Sequence, residues 1–125
     1  MVFGGFGSKE IAVRIDDAKV KVVVAASCGV NPGGTILPYT PLIRGAIEMA
    51  AHTPEGGMVM FERPESPVEL QRNESDWQAA MFTATPRDCV PVAATDPLYV
   101  LYTSGTTGQP KGVVRGQVSI AIYGQ

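Results

Sequence analysis

Leu98-Tyr99-Val100-Leu101-Tyr102-Thr103-Ser104-Gly105-Thr106-Thr107-Gly108-Gln109-Pro110-Lys111-Gly112-Val113-Val114-Arg115 is an apolar run that empties into a loop rich in hydroxyls and glycine and carrying one lysine. Gly105 and Gly108 let the backbone bend until several amides face one point. Thr103, Ser104, Thr106 and Thr107 add hydroxyl donors, and Lys111 adds a positive charge. That donor set suits phosphate oxygens. It is not a Walker A loop, which needs a glycine directly before the lysine and a serine or threonine directly after it; here the neighbours are Pro110 and Gly112. A P-loop NTPase or mononucleotide kinase is therefore set aside. The plain structural alternative is a generic Gly/Thr turn after a buried strand.

Upstream of this run, residues 86–97 read as an extended connector, and residues 76–82 as a brief helix with Trp77 anchoring it by burial. Residues 62–75 are polar, carry Pro64 and Pro67 and show no period, which predicts an exposed loop with little fixed structure. Met58-Val59-Met60-Phe61 reads as a short strand whose methionines fill core space. Before it, Thr40 and Pro41 open a helix as cap and first residue. Leu42, Ile43, Ala46, Ile47 and Ala50 then repeat at three and four residues as far as His52. Residues 27–35 are turn chemistry throughout. Val20 to Ala26 is a nearly continuous apolar run, which predicts a central parallel strand covered on both faces. Ser8 is placed to cap a helix reaching Ala18, with Ile11, Ile15 and Ala18 on one face, Arg14 turned outward, and Asp16 and Asp17 marking the turn.

Strands alternating with helices, with no Asn-Gly or Asp-Gly hairpin pair, predict an α/β fold: a partial, open, mainly parallel sheet with flanking helices. Ligands of such sheets sit outside the carboxyl ends of the strands, where the glycine-rich loop is expected. At 125 residues the chain is long enough for one core. Ten Lys+Arg against twelve Asp+Glu give a net charge of -2 with the signs scattered, so nucleic acid is not an expected partner. Cys28 and Cys89 lack metal-site or disulfide-framework spacing and are both expected reduced and buried. His52 is the single histidine, expected at a surface or helix end; it leaves no partner for a histidine metal site and argues against a triad within the chain. No apolar stretch approaches the roughly twenty residues of a membrane span, and no signal or transit peptide is read at the N-terminus. The chain is expected in the cytoplasm, with an organelle matrix also fitting.

The loop matches, at every position, the phosphate-binding signature of the AMP-forming acyl-CoA synthetases, Tyr-Thr-Ser-Gly-Thr-Thr-Gly-x-Pro-Lys-Gly. The resemblance extends to Val2-Phe3-Gly4-Gly5-Phe6, to Ala26-Ser27-Cys28-Gly29 and to Pro91-Val92-Ala93-Ala94-Thr95-Asp96-Pro97, and is strongest to the short-chain, propionyl-CoA branch. It implies that residues 1–115 are an internal segment of a large N-terminal adenylation domain. Residues 116–125 resemble nothing that follows in that family and are expected to be an unrelated tail. The family's chemistry, by resemblance, has two steps: a carboxylate attacks the α-phosphate of Mg-ATP to give acyl-AMP and pyrophosphate, then the thiol of coenzyme A displaces AMP. The resemblance implies ATP, Mg2+ and coenzyme A as cofactors of the parent enzyme, with a small carboxylic acid as substrate. Thr103, Ser104, Gly105, Thr106, Thr107, Gly108 and Lys111 would hold the polyphosphate.

No catalytic residue is carried over, because the family's adenine pocket, ribose-binding acid, hinge and catalytic lysine correspond to nothing in this chain. Short-chain members also carry an arginine in the turn corresponding to residues 31–34, where it helps hold coenzyme A. This turn has none, which weakens a coenzyme A site here. The first expectation is therefore a synthetase segment with little or no turnover alone, and a longer synthetase chain is a candidate partner. The competing expectation is a non-enzymatic polyphosphate-binding or protein-interaction module. A third is a chain that does not fold stably because its sheet exposes apolar faces.

Overall fold

The computed structural model describes residue 2, residues 5–104 and residues 110–116, leaving aside the side chain of Ser104. The chain divides into two units, Phe3–Thr85 and Met1–Val2 with Pro86–Gln125.

In the first unit, α1 (Ser8–Ala18) and α2 (Thr40–Met49) pack on each other. Their periodic small and branched residues allow close approach: Ala12, Ile15 and Ala46 form a buried cluster flanked by Ile11, Val20, Val23, Ile47 and Ala50. The cap of α1 is Gly7 rather than Ser8. Ser8 lies inside the helix, and its hydroxyl donates to the Leu42 carbonyl at 2.8 Å, tying the two helices together. α2 likewise starts one residue earlier than its sequence suggests, with Tyr39 as the cap and Thr40 already helical.

Arg14 does not turn outward. Only 7 % of it is exposed; its guanidinium lies 4.4 Å from the centroid of the Phe6 ring and donates to the Glu10 carbonyl. A planar, weakly hydrated cation on an apolar stem can cover an aromatic face, a role that periodicity misses when it counts arginine as polar.

Behind α2 lies a parallel sheet of β1 (Val23–Ala26), β4 (Met58–Phe61) and β5 (Glu74–Asp76), in the order β1-β4-β5. Met58 and Met60 are fully buried against Ile43 of α2, with Val23, Ala25, Tyr39 and Ile47 around them. Burial of each methionine stabilises the unit by about 2 kcal/mol relative to exposure. Among the described residues, strand β1 is an edge strand, not the central one. Val23 and Ala25 pack toward α2, whereas Val24 is 58 % exposed. The apolar run is therefore covered on one face only among the described residues.

Between β1 and α2 the expected turn is a small antiparallel hairpin, β2 (Cys28–Val30) with β3 (Ile36–Pro38). The residues connecting them carry Gly33 and Gly34 at positive φ, 100° and 82°. The turn is closed by Asn31 N–H donating to Thr35 O and Gly34 N–H to Asn31 O, each at 2.9 Å. Gly29 is needed for another reason: a Cβ there would overlap the Tyr39 ring and hydroxyl.

The polar stretch 62–75 is also more ordered than its lack of period suggests. Its end forms β5, and Arg63 N–H donates to the buried Ser27 hydroxyl at 2.9 Å. The helix after it, α3 (Trp77–Thr83), is capped by Asp76, whose carboxylate accepts from Ala79 N–H at 2.7 Å. Trp77 is half-buried, and no residue of α3 is fully buried. Cys28 is buried as expected, but Cys89 is exposed because the 86–97 connector lies open to solvent. Among the described residues, no helix is long and apolar enough to cross a membrane.

Candidate functional site

In the second unit, β6 (Pro97–Ser104) and β7 (Pro110–Gly116) form an antiparallel hairpin. The approach to β6 is a turn in which Asp96 N–H donates to Ala93 O at 3.0 Å and the Asp96 carboxylate accepts from Ala93 N–H at 2.7 Å. The register then runs Val100 with Val114, Leu101 with Val113, Tyr102 with Gly112, Thr103 with Lys111 and Ser104 with Pro110. Proline fits at the start of β7, where the missing N–H costs the ladder least.

The phosphate-type residues fall into three groups. Thr103 and Lys111 are direct cross-strand partners and both are exposed. Such partners have Cβ atoms about 5 Å apart on the same face, so a hydroxyl and an ammonium are presented together. Ser104 is the next residue toward the loop, paired with Pro110. Gly105, Thr106, Thr107 and Gly108 lie outside the described residues.

Two expectations change. Lys111 belongs to a strand, not to the loop itself. The loop joins two antiparallel strands, whereas the parallel-sheet rule places it after a parallel strand. The register places Val100, Tyr102, Gly112 and Val114 on one face of the hairpin and Leu101, Thr103, Lys111 and Val113 on the other.

Among the described residues Lys111 has no ion-pair partner, whereas Arg44 and Glu74 form a salt bridge. An exposed, unpaired ammonium beside a threonine hydroxyl can bind an anion without first breaking an internal contact.

The first unit holds a second concave feature that sequence reasoning missed. A cleft of about 200 Å³ opens at the amino ends of β4 and β5, lined by Arg44, Glu48, Thr53, Arg72, Asn73 and Glu74 among others. One of its two arginines, Arg44, is already committed. Arg44 Nε and Nη2 donate to the two Glu74 carboxylate oxygens at 2.8 and 2.7 Å, and Nη2 also donates to the Glu69 carbonyl at 2.8 Å. The Arg44 side chain, followed by the Gln71 N–H, holds the Glu74 carboxyl below its ordinary range, and Glu74 in turn raises Arg44. A lone arginine on α2 and a glutamate thirty residues later carry no local signal for this pair.

A second anchor also lies outside periodicity. The Asp16 carboxylate accepts from the N–H groups of His52 at 2.7 Å and Ala51 at 3.2 Å, and His52 Nε2 donates to the Val20 carbonyl at 2.9 Å. Those two amides, His52 first, lower the Asp16 carboxyl. His52 is thus a structural residue just beyond α2.

With the fold and the hairpin in place, comparison with known proteins identifies the family. A family model described as AMP-binding enzyme matches residues 1–122, continuing past Arg115, and the chain belongs to that family. It is 49 % identical over 123 residues to an uncharacterized protein of Pseudomonas aeruginosa, covering 98 % of this chain and 19 % of that protein. It is 48 % identical over 124 residues to a mouse acyl-CoA synthetase short-chain family member 3, mitochondrial, covering 98 % of this chain and 18 % of that protein. Among solved structures, acetoacetyl-CoA synthetase from Streptomyces lividans superposes with a TM-score of 0.76 at 21 % identity, over 94 % of this chain and 17 % of that one. That likeness is one of fold. The chain spans about a fifth of the length of these relatives.

Proposed function

We propose that this chain supplies the polyphosphate-holding element of an ATP-dependent, AMP-forming short-chain acyl-CoA synthetase that acts on propionate or acetate. The observation carrying this reading is the complete Tyr102-to-Gly112 signature, with Thr103 and Lys111 as direct partners in the hairpin. The short-chain synthetase among its relatives supports the choice of acid class.

In this reading Lys111 places its ammonium on the β- and γ-phosphate oxygens, and the Thr103, Ser104, Thr106 and Thr107 hydroxyls donate to the same group. Gly105 and Gly108 allow the loop backbone to approach it closely. Their work is to position the triphosphate for attack at the α-phosphorus and to stabilise the negative charge that builds on departing pyrophosphate. Mg2+ supplies further charge neutralisation when bound with the nucleotide, and no residue of this chain is assigned to it. Residues 31–34 offer coenzyme A no cation, and two of the turn's amides are already paired within it. The chain therefore contributes little to coenzyme A affinity.

Polyphosphate contacts alone, without base, ribose or acyl pockets, give weak nucleotide binding and no turnover. Such a synthetase segment works in a soluble compartment, the cytoplasm or an organelle matrix. The test is a chimera in which this chain replaces the matching 124 residues of the mouse acyl-CoA synthetase short-chain family member 3, assayed for AMP formation from ATP with propionate and with acetate. Acid-dependent AMP release by the chimera, and none by the chain alone, is the expected result. A folded chimera inactive with every short-chain acid, beside an active parent, contradicts the proposal.

A further inference from the structure

We draw no further inference here: the strongest candidate, the open edge of β1 with the exposed Val22 and Val24 beside it, carries nothing because nothing in the structure shows what covers it.

Discussion

Replacing Arg44 with methionine keeps an apolar stem in the cleft and removes the guanidinium. Three charge-assisted hydrogen bonds are lost: two to Glu74, at 2.8 and 2.7 Å, and one to the Glu69 carbonyl, at 2.8 Å. The Glu74 carboxylate, whose side chain is 6 % exposed, is left with the Gln71 N–H as its remaining partner. Breaking a fully buried pair costs about 3–5 kcal/mol. The Arg44 side chain is 27 % exposed, so part of its interaction is screened by solvent, and we expect a loss of about 2–3 kcal/mol. For a unit the size of Phe3–Thr85 this lowers Tm by about 10–20 °C.

The loss depends on pH with a definite sign. The folded state lowers the Glu74 carboxyl, so its contribution is present above the unfolded value of about 4.3 and disappears as pH falls through the folded one. Thermal melts followed by circular dichroism should show the full gap between parent and Arg44→Met at pH 7 and a shrinking gap as pH falls below about 4. A Glu74→Gln variant and the double variant complete the cycle, and the double should cost clearly less than the sum of the singles. A gap under about 2 °C at pH 7, or strict additivity, refutes the assignment of this pair as the tie between α2 and β5.

Other substitutions test the remaining contacts. Asp16→Asn should weaken the closure of α2 onto α1 at neutral pH, with faster hydrogen exchange at the Ala51 and His52 amides; unchanged exchange would show that the carboxylate does not hold them. Because the folded state lowers Asp16, the effect should vanish once pH falls through that lowered value. Gly57→Ala should destabilise by more than about 1 kcal/mol, since φ there is 62° and a Cβ would overlap the Asn73 carbonyl; urea denaturation reads this directly, and a neutral result would mean the turn adopts another conformation. Met60→Ala should cost about 2–5 kcal/mol in the same assay through the cavity it leaves beside Ile43, and a cost below 1 kcal/mol would mean the core collapses to fill it.

How legible this chain was depended on whether a feature was local. The helices were visible because Ile11, Ile15, Ile43, Ala46 and Ile47 recur at helical spacing, and β4 was visible as four apolar residues after Gly56 and Gly57. The rank of β1 was not: an apolar run reports hydrophobicity, while edge or centre depends on which partners pair with it. The β2/β3 hairpin was hidden because its connection uses Gly33 and Gly34 rather than a two-residue Asn-Gly turn. Arg14, Asp16 and Glu74 escape a periodic reading because their partners are an aromatic face, backbone amides and a distant arginine. At the candidate site, residue types pointed to an anion, and the pairing of Thr103 with Lys111 required the hairpin register.

Calorimetric titration of the chain with Mg-pyrophosphate and Mg-ATP, beside a Lys111→Ala variant, asks whether Lys111 and the hydroxyl loop form the proposed polyphosphate site. Loss of one ammonium–phosphate contact is worth about 1.5–3 kcal/mol, so the chain should bind pyrophosphate measurably and the substitution should weaken that binding by roughly 10- to 100-fold. A folded chain that binds neither ligand, or binds both equally well with and without Lys111, contradicts the proposal.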